Sequence, residues 1–162
     1  MGVIEGLLVN GPVEWYENLE KQFSKYNGTW LAQNKVLKPE YQHVFAHAIA
    51  ERGCFTVLGY VQRPIMKVAY MFEIDKYDTK QTRTLPPDDS APPFSKYDIS
   101  QGKCNGTTYA YQTWLHAIKL TRIHEISLQE LTNLTCMGPI KGPRWTHLYI
   151  AIPAELQDPR YC

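Results

Sequence analysis

The stretch Met66-Lys67-Val68-Ala69-Tyr70-Met71-Phe72-Glu73-Ile74-Asp75 decides the fold. It is apolar at nearly every position and too short to cross a membrane. A half-buried strand would alternate; this one reads as a strand covered on both faces, and therefore central in its sheet. Upstream, Cys54 to Val61 is β-branched and aromatic, and Arg63-Pro64 turns it back toward the central strand. Downstream, residues 75 to 102 form a long polar loop with Pro86-Pro87 and Pro92-Pro93, a length that compact domains reserve for function or disorder. Thr107 to Ile123 then alternates with Tyr109, Tyr111, Trp114, Leu115, Ile118 and Leu120, which predicts a strand pair or one long bent strand.

Towards the N-terminus, Ile4 to Asn10 reads as a short strand ended by Gly11-Pro12. Val13 to Tyr26 repeats Trp15, Tyr16, Leu19 and Phe23 at helical spacing, with Asn27-Gly28 as the stop. Thr29 to Ala32 is a short extended stretch, and Lys38 to Arg52 is a second helix closed by Gly53. Near the other end, Ser127 and Glu130 form a capping box that opens a short helix through Leu134. A rigid Gly138–Pro143 loop and a final strand from His147 to Pro153 complete the chain. Strands interrupted by occasional helices predict an α+β fold: a curved sheet or small β-barrel flanked by short helices, in one domain over 1–162.

The 162 residues carry 17 Lys+Arg against 16 Asp+Glu and are 44% hydrophobic, which excludes both wholesale disorder and a strongly basic polyelectrolyte. The charge is nevertheless uneven: residues 101–150 hold five bases and two acids, a surplus that can meet a phosphate backbone locally. No leader or membrane span is read, so a cytoplasmic protein with no membrane partner is expected. On that reading the Asn-x-Thr sequons at Asn27, Asn105 and Asn133 go unused. Cys54, Cys104, Cys136 and Cys162 contain no Cys-x-x-Cys pair, which points to reduced thiols rather than a zinc site.

Enzyme signatures are missing. There is no nucleophile elbow, no phosphate-binding loop, no paired-His zinc helix and no dinucleotide fingerprint. His43 and His47 share a helix face without an acidic third ligand. His147 is followed two residues on by Tyr149, where a two-histidine phosphoesterase needs a hydroxyl residue of the Ser/Thr type. No catalytic residue, metal or cofactor is therefore expected. What remains is aromatic and basic. Trp30 follows Gly28-Thr29 at a turn into a strand, so it is expected at the surface, as are the loop aromatics Phe94 and Tyr97. Surface aromatics of this kind can stack a planar base. Arg63 and Lys67 follow turns, and Lys141 and Arg144 sit in the Gly/Pro loop, where backbone amides and cations make a phosphate clamp.

The order of these parts resembles a known group. Leu7-Leu8-Val9-Asn10-Gly11-Pro12, the helix with Trp15-Tyr16, and Asn27-Gly28-Thr29-Trp30-Leu31-Ala32 resemble the opening of EVE and YTH domains of the PUA-like superfamily. Phe55 to Tyr60 with Lys67 to Ile74 resembles their central strand pair, and Leu120 to Leu131 their late strand and short helix. The resemblance implies a module that flips a modified base into an aromatic pocket. It implies methylated DNA as the target, with RNA as the alternative, and membership of a modification-dependent restriction system as the N-terminal domain of a longer McrB-type protein. Carried over, Trp30 is one wall of the pocket and Asn10 bonds the base edge. Phe94 or Tyr97 supplies the second wall, ahead of Trp114, and Leu31 replaces the Ser that YTH domains place after the Trp. Arg63, Lys67, Lys141 and Arg144 are the phosphate contacts. A second reading is an ASCH-type RNA-binding or RNA-processing protein, for which Lys35 and His116 are the catalytic candidates. The third is a domain that binds no nucleic acid and keeps every one of these aromatics in its core.

Overall fold

The computed structural model describes residues 3–80, 82–83, 87–88, 111–138, 140 and 147–156. In chain order the elements are β1 (Gly6–Gly11), α1 (Val13–Tyr26), β2 (Thr29–Gln33), α2 (Pro39–Arg52), β3 (Phe55–Val61), β4 (Lys67–Asp78), β5 (Thr113–Ile126), α3 (Leu128–Thr135) and β6 (His147–Ile150). The strands form one curled half-barrel sheet in the order β2-β5-β4-β3-β1-β6. The β1–β3 pair is parallel, because the chain passes through α1, the edge strand β2 and α2 before returning beside β1, and the remaining neighbours are antiparallel.

β4 is the interior strand that its apolar run predicts, with β3 and β5 on its two sides. Its side chains divide between two cores by strand alternation, which the register shift between Val68 and Tyr70 interrupts so that Val68 joins the face of Met71. Tyr70, Phe72 and Ile74 join Leu7, Val9, Phe55, Val57, Leu31 and Leu115 on the face covered by α1 and α2. Val68 and Met71 join Leu8, Leu58 and Tyr60 on the opposite face, beneath Leu131 of α3. Thr107–Ile123 resolves in favour of one strand: β5 runs unbroken for 14 residues, and three register shifts against β4 bend it. Residues 107–110 of that expectation lie outside the described residues.

The helix ends follow local chemistry. α1 stops at Asn27, which takes the left-handed conformation and donates its N–H to Phe23 O (3.1 Å). α2 stops at Gly53 in the same way. The capping box forms as the sequence predicts, with the Glu130 N–H donating to Ser127 Oγ (3.1 Å) and the Ser127 N–H to Glu130 Oε1 (3.4 Å). The packing of α1 is anchored by Tyr16, fully buried, stacked on Tyr70 at 4.5 Å and donating its hydroxyl to Tyr60 O at 2.8 Å. Burial pushes the Tyr16 phenol well above its ordinary value.

The thiol expectation needs correction at one position. Cys54 is disulfide-bonded, whereas Cys136 is free and exposed. Pairing depends on Cα separation and Cβ direction in space, and the sequence spacing of lone cysteines carries neither. Among the described residues no helix is long and apolar enough to cross a membrane.

Candidate functional site

The site begins with the register between β2 and β5. Trp30 lies opposite His116, and His116 lies opposite Lys76 of β4, so the three side chains form one row across three strands on one face. Leu31 points the other way and is buried in the α1/α2 core. Ala32 and Trp114 face each other one step along, and Trp30, Tyr111 and Trp114 pack as a separate small cluster. Trp114 meets Tyr111 edge-to-face at 5.7 Å.

Trp30 departs from its expected surface position. It is 2% exposed, because the strand begins at Thr29, immediately after the helix stop, and leaves no exposed loop for the indole. His116 covers it from one side, with ring centroids 4.9 Å apart. Lys76 Nζ lies 5.4 Å from the ring centroid, and the Trp30 Nε1–H donates to Asp88 Oδ1 at 3.3 Å. Asp88 Oδ2 in turn accepts from Lys76 Nζ at 2.7 Å.

A β-bulge supplies the next element. Ile74 pairs with Ala117 and Lys76 with His116, leaving Asp75 as the extra residue of β4. Its carboxylate lies 2.6 Å from His116 Nδ1. A Cβ on Gly28 would come within 3.5 Å of His116 Nε2, so that nitrogen faces the turn between α1 and β2. A carboxylate at Nδ1 accepts from that ring nitrogen and holds the imidazole in a fixed orientation. Trp114 Nε1 is a buried donor with no hydrogen-bond partner among the described residues.

The structure therefore unites Trp30 and Trp114 and adds Tyr111, His116, Asp75, Lys76 and Asp88. Asn10 is not brought to them. It lies on β1, paired with Tyr60 of β3, and three strands separate β1 from β2, about 19 Å along the sheet. Arg63 and Lys67 are exposed at the β3–β4 turn, and the nine residues from Lys67 to Lys76 span about 30 Å of strand. Phe94, Tyr97, Lys141 and Arg144 lie outside the described residues. Lys76 lies just past the apolar run within β4 and Asp88 in a proline-rich stretch, so neither stands out in the sequence; the β2–β5–β4 register brings Lys76 to Trp30, and Asp88 joins through its hydrogen bonds to both.

Other polar groups lie apart. His147 on β6 is buried, and its pKa is pushed down to about 4, chiefly by burial and then by the charge of Lys35. The hydroxyl of Tyr149 lies 3.4 Å from His147 Nε2, and His147 Nδ1 has no partner among the described residues. A cleft of about 710 Å³ runs between α1 and the β4–β5 pair. Arg122 there donates twice to Glu20 at 2.7 Å, and the Tyr70 hydroxyl donates to Glu20 at 3.1 Å. Trp30 does not line that cleft. Among the described residues no group of three His, Cys, Asp or Glu side chains could hold a metal.

Among solved structures the chain is similar to a point mutant of the ASCH protein from Zymomonas mobilis, with 12% identity, a TM-score of 0.50, and coverage of 92% of this chain and 90% of that one. The fold is PUA-like. The unmutated ASCH protein from Zymomonas mobilis aligns at 11% identity and a TM-score of 0.48, over 90% of this chain and 87% of that one. The N-terminal domain of McrB from Staphylothermus marinus aligns more loosely, at 9% identity and a TM-score of 0.35, over 78% and 89%. At these identities the likeness speaks for the fold alone. No family model and no curated protein matches the chain.

Proposed function

We propose that this chain is a nucleic-acid-binding domain of the EVE/YTH type that reads a modified base, extruded from its strand, against Trp30. The observation that carries the proposal is the Trp30 site: a tryptophan with two aromatic neighbours and a lysine over its ring, on one face of a PUA-like sheet. Extruding a base costs a few kcal/mol, and stacking on an aromatic ring returns about 1–3 kcal/mol. A methyl group buried with the base adds about 0.8 kcal/mol, so shape carries much of the discrimination. Trp30 is covered in the ligand-free molecule, so entry of the base requires the Asp88 side chain bonded to its indole to be displaced. The role we propose is binding without catalysis, with methylated DNA as the target and modification-dependent restriction as the setting.

A second reading, an ASCH-type protein acting on RNA, draws on the His116–Asp75 pair. An imidazole held by a carboxylate suits general-base chemistry. One experiment separates the readings. Fluorescence anisotropy is measured with matched DNA duplexes that are unmodified or carry N6-methyladenine or 5-methylcytosine, and with RNA of the same sequence. Tighter binding to one modified duplex, lost in Trp30→Phe while its thermal unfolding is unchanged, supports the first reading. Preference for RNA, together with RNA turnover abolished in His116→Gln, supports the second. Equal binding by Trp30→Phe and wild type on every probe assigns the aromatic cluster to the core.

A further inference from the structure

Resting on the base-binding reading, we propose that Lys76 is the phosphate contact of the Trp30 site and that Asp88 occupies the phosphate position until nucleic acid displaces it. The carboxylate of Asp88 satisfies two donors at once. Oδ1 accepts from the Trp30 indole (3.3 Å) and Oδ2 from the Lys76 ammonium (2.7 Å). The two non-bridging oxygens of a phosphodiester likewise share one negative charge, so a phosphate can replace the carboxylate with both partners kept.

The surroundings favour the exchange. Lys76 rises from the rigid β4 strand in the same row as His116 and Trp30, so its position relative to the indole is set by strand register. Its ammonium already lies over the ring on which the base is to stack, within reach of a phosphate flanking that base. The Lys76 and Asp88 side chains are 42% and 43% exposed, and an ion pair this open to water is weak and easily given up. The nearby acids have other partners: Asp75 is on His116, and Asp78 lies 3.6 Å from Arg83.

The test uses two charge-removing variants, Lys76→Gln and Asp88→Asn; the amide oxygen of the second still accepts from the indole. Binding of the preferred probe is measured across a salt series. Lys76→Gln is expected to weaken binding about ten-fold, as loss of a charge-assisted hydrogen bond does. It is also expected to lower the slope of log K against log salt by about 0.9, one phosphate contact. Asp88→Asn is expected to tighten binding about two- to five-fold. Weakening by both variants together, or no effect of either on a probe whose binding needs Trp30, overturns this proposal and leaves the base-binding reading standing. In parallel, dimethyl phosphate is titrated into Asp88→Asn while the Trp30 indole N–H resonance is followed. A shift abolished by adding Lys76→Gln supports the phosphate site even where no base-bearing probe binds, in which case the base-binding reading alone fails. No shift and no probe binding reject both.

Discussion

His147 gives the sharpest quantitative expectation. Its ring lies on β6 against Val9 of β1, buried, and takes up a proton only near pH 4 instead of the ordinary 6.5. The direction follows from burial, which penalises the imidazolium, with the positive charge of Lys35 adding to it. The folded-state pKa is depressed, so the unfolded chain binds the proton first as the pH falls. Stability is fully present above pH 6.5 and is lost progressively as the pH falls towards 4. With values of 6.5 and about 4, the loss from this ring between pH 7 and pH 5 is about 2 kcal/mol. At a urea slope of about 2 kcal/mol/M, the unfolding midpoint moves down by about 1 M. The assay is urea unfolding of the wild type and His147→Gln at half-unit pH steps. The Glu20 carboxyl is held low mainly by its hydrogen bond from Arg122 and the Glu73 carboxyl is raised by burial, so both add their own pH dependence. Both are present in the two proteins, so the difference between the curves isolates His147. Parallel curves for the two proteins refute the reasoning, as does a His147 proton resonance titrating at 6.5.

Two further expectations concern packing and capping. A Cβ on Gly59 would lie 2.7 Å from Cε1 of Tyr16, whose ring is fixed between Tyr70 and the Tyr60 carbonyl. Gly59→Ala is therefore expected to lower stability by about 1–3 kcal/mol in urea unfolding, because the ring cannot retreat. Ser127→Ala removes the acceptor for the Glu130 N–H at the start of α3 and is expected to lower stability by about 1 kcal/mol, measured the same way.

Local signals in the sequence reach far into this fold. The helical spacing of Trp15, Tyr16 and Leu19 with the Asn27-Gly28 stop bounds α1, Ser127 and Glu130 open α3, and the unbroken apolar run to Ile74 marks the interior strand. Each is a property of residues within a few positions of one another, where hydrogen bonding and side-chain spacing act without the rest of the chain. The sequence also singles out Trp30 and Trp114 as candidates, but it leaves their exposure and their partners open. A residue at a predicted turn into a strand reads as surface, and only the pairing of Thr29 with Ala117 shows that the strand has already begun there.

Tertiary structure decides the remainder. Lys76, His116 and Trp30 are distant in the chain and share a row only because β2, β5 and β4 pair in that register. Asp75 reaches His116 because a bulge inserts one residue into β4, and no local pattern in Glu73-Ile74-Asp75-Lys76 announces it. Asn10 lies next to the end of β1, close to where the sequence places it, yet the sheet order sets three strands between β1 and the β2 strand of Trp30. The disulfide of Cys54 belongs to the same class. The sequence by itself determined the elements and their apolar faces, because those depend on short-range spacing. Which side chains meet at the site was decided by strand order and register, which only the folded sheet contains.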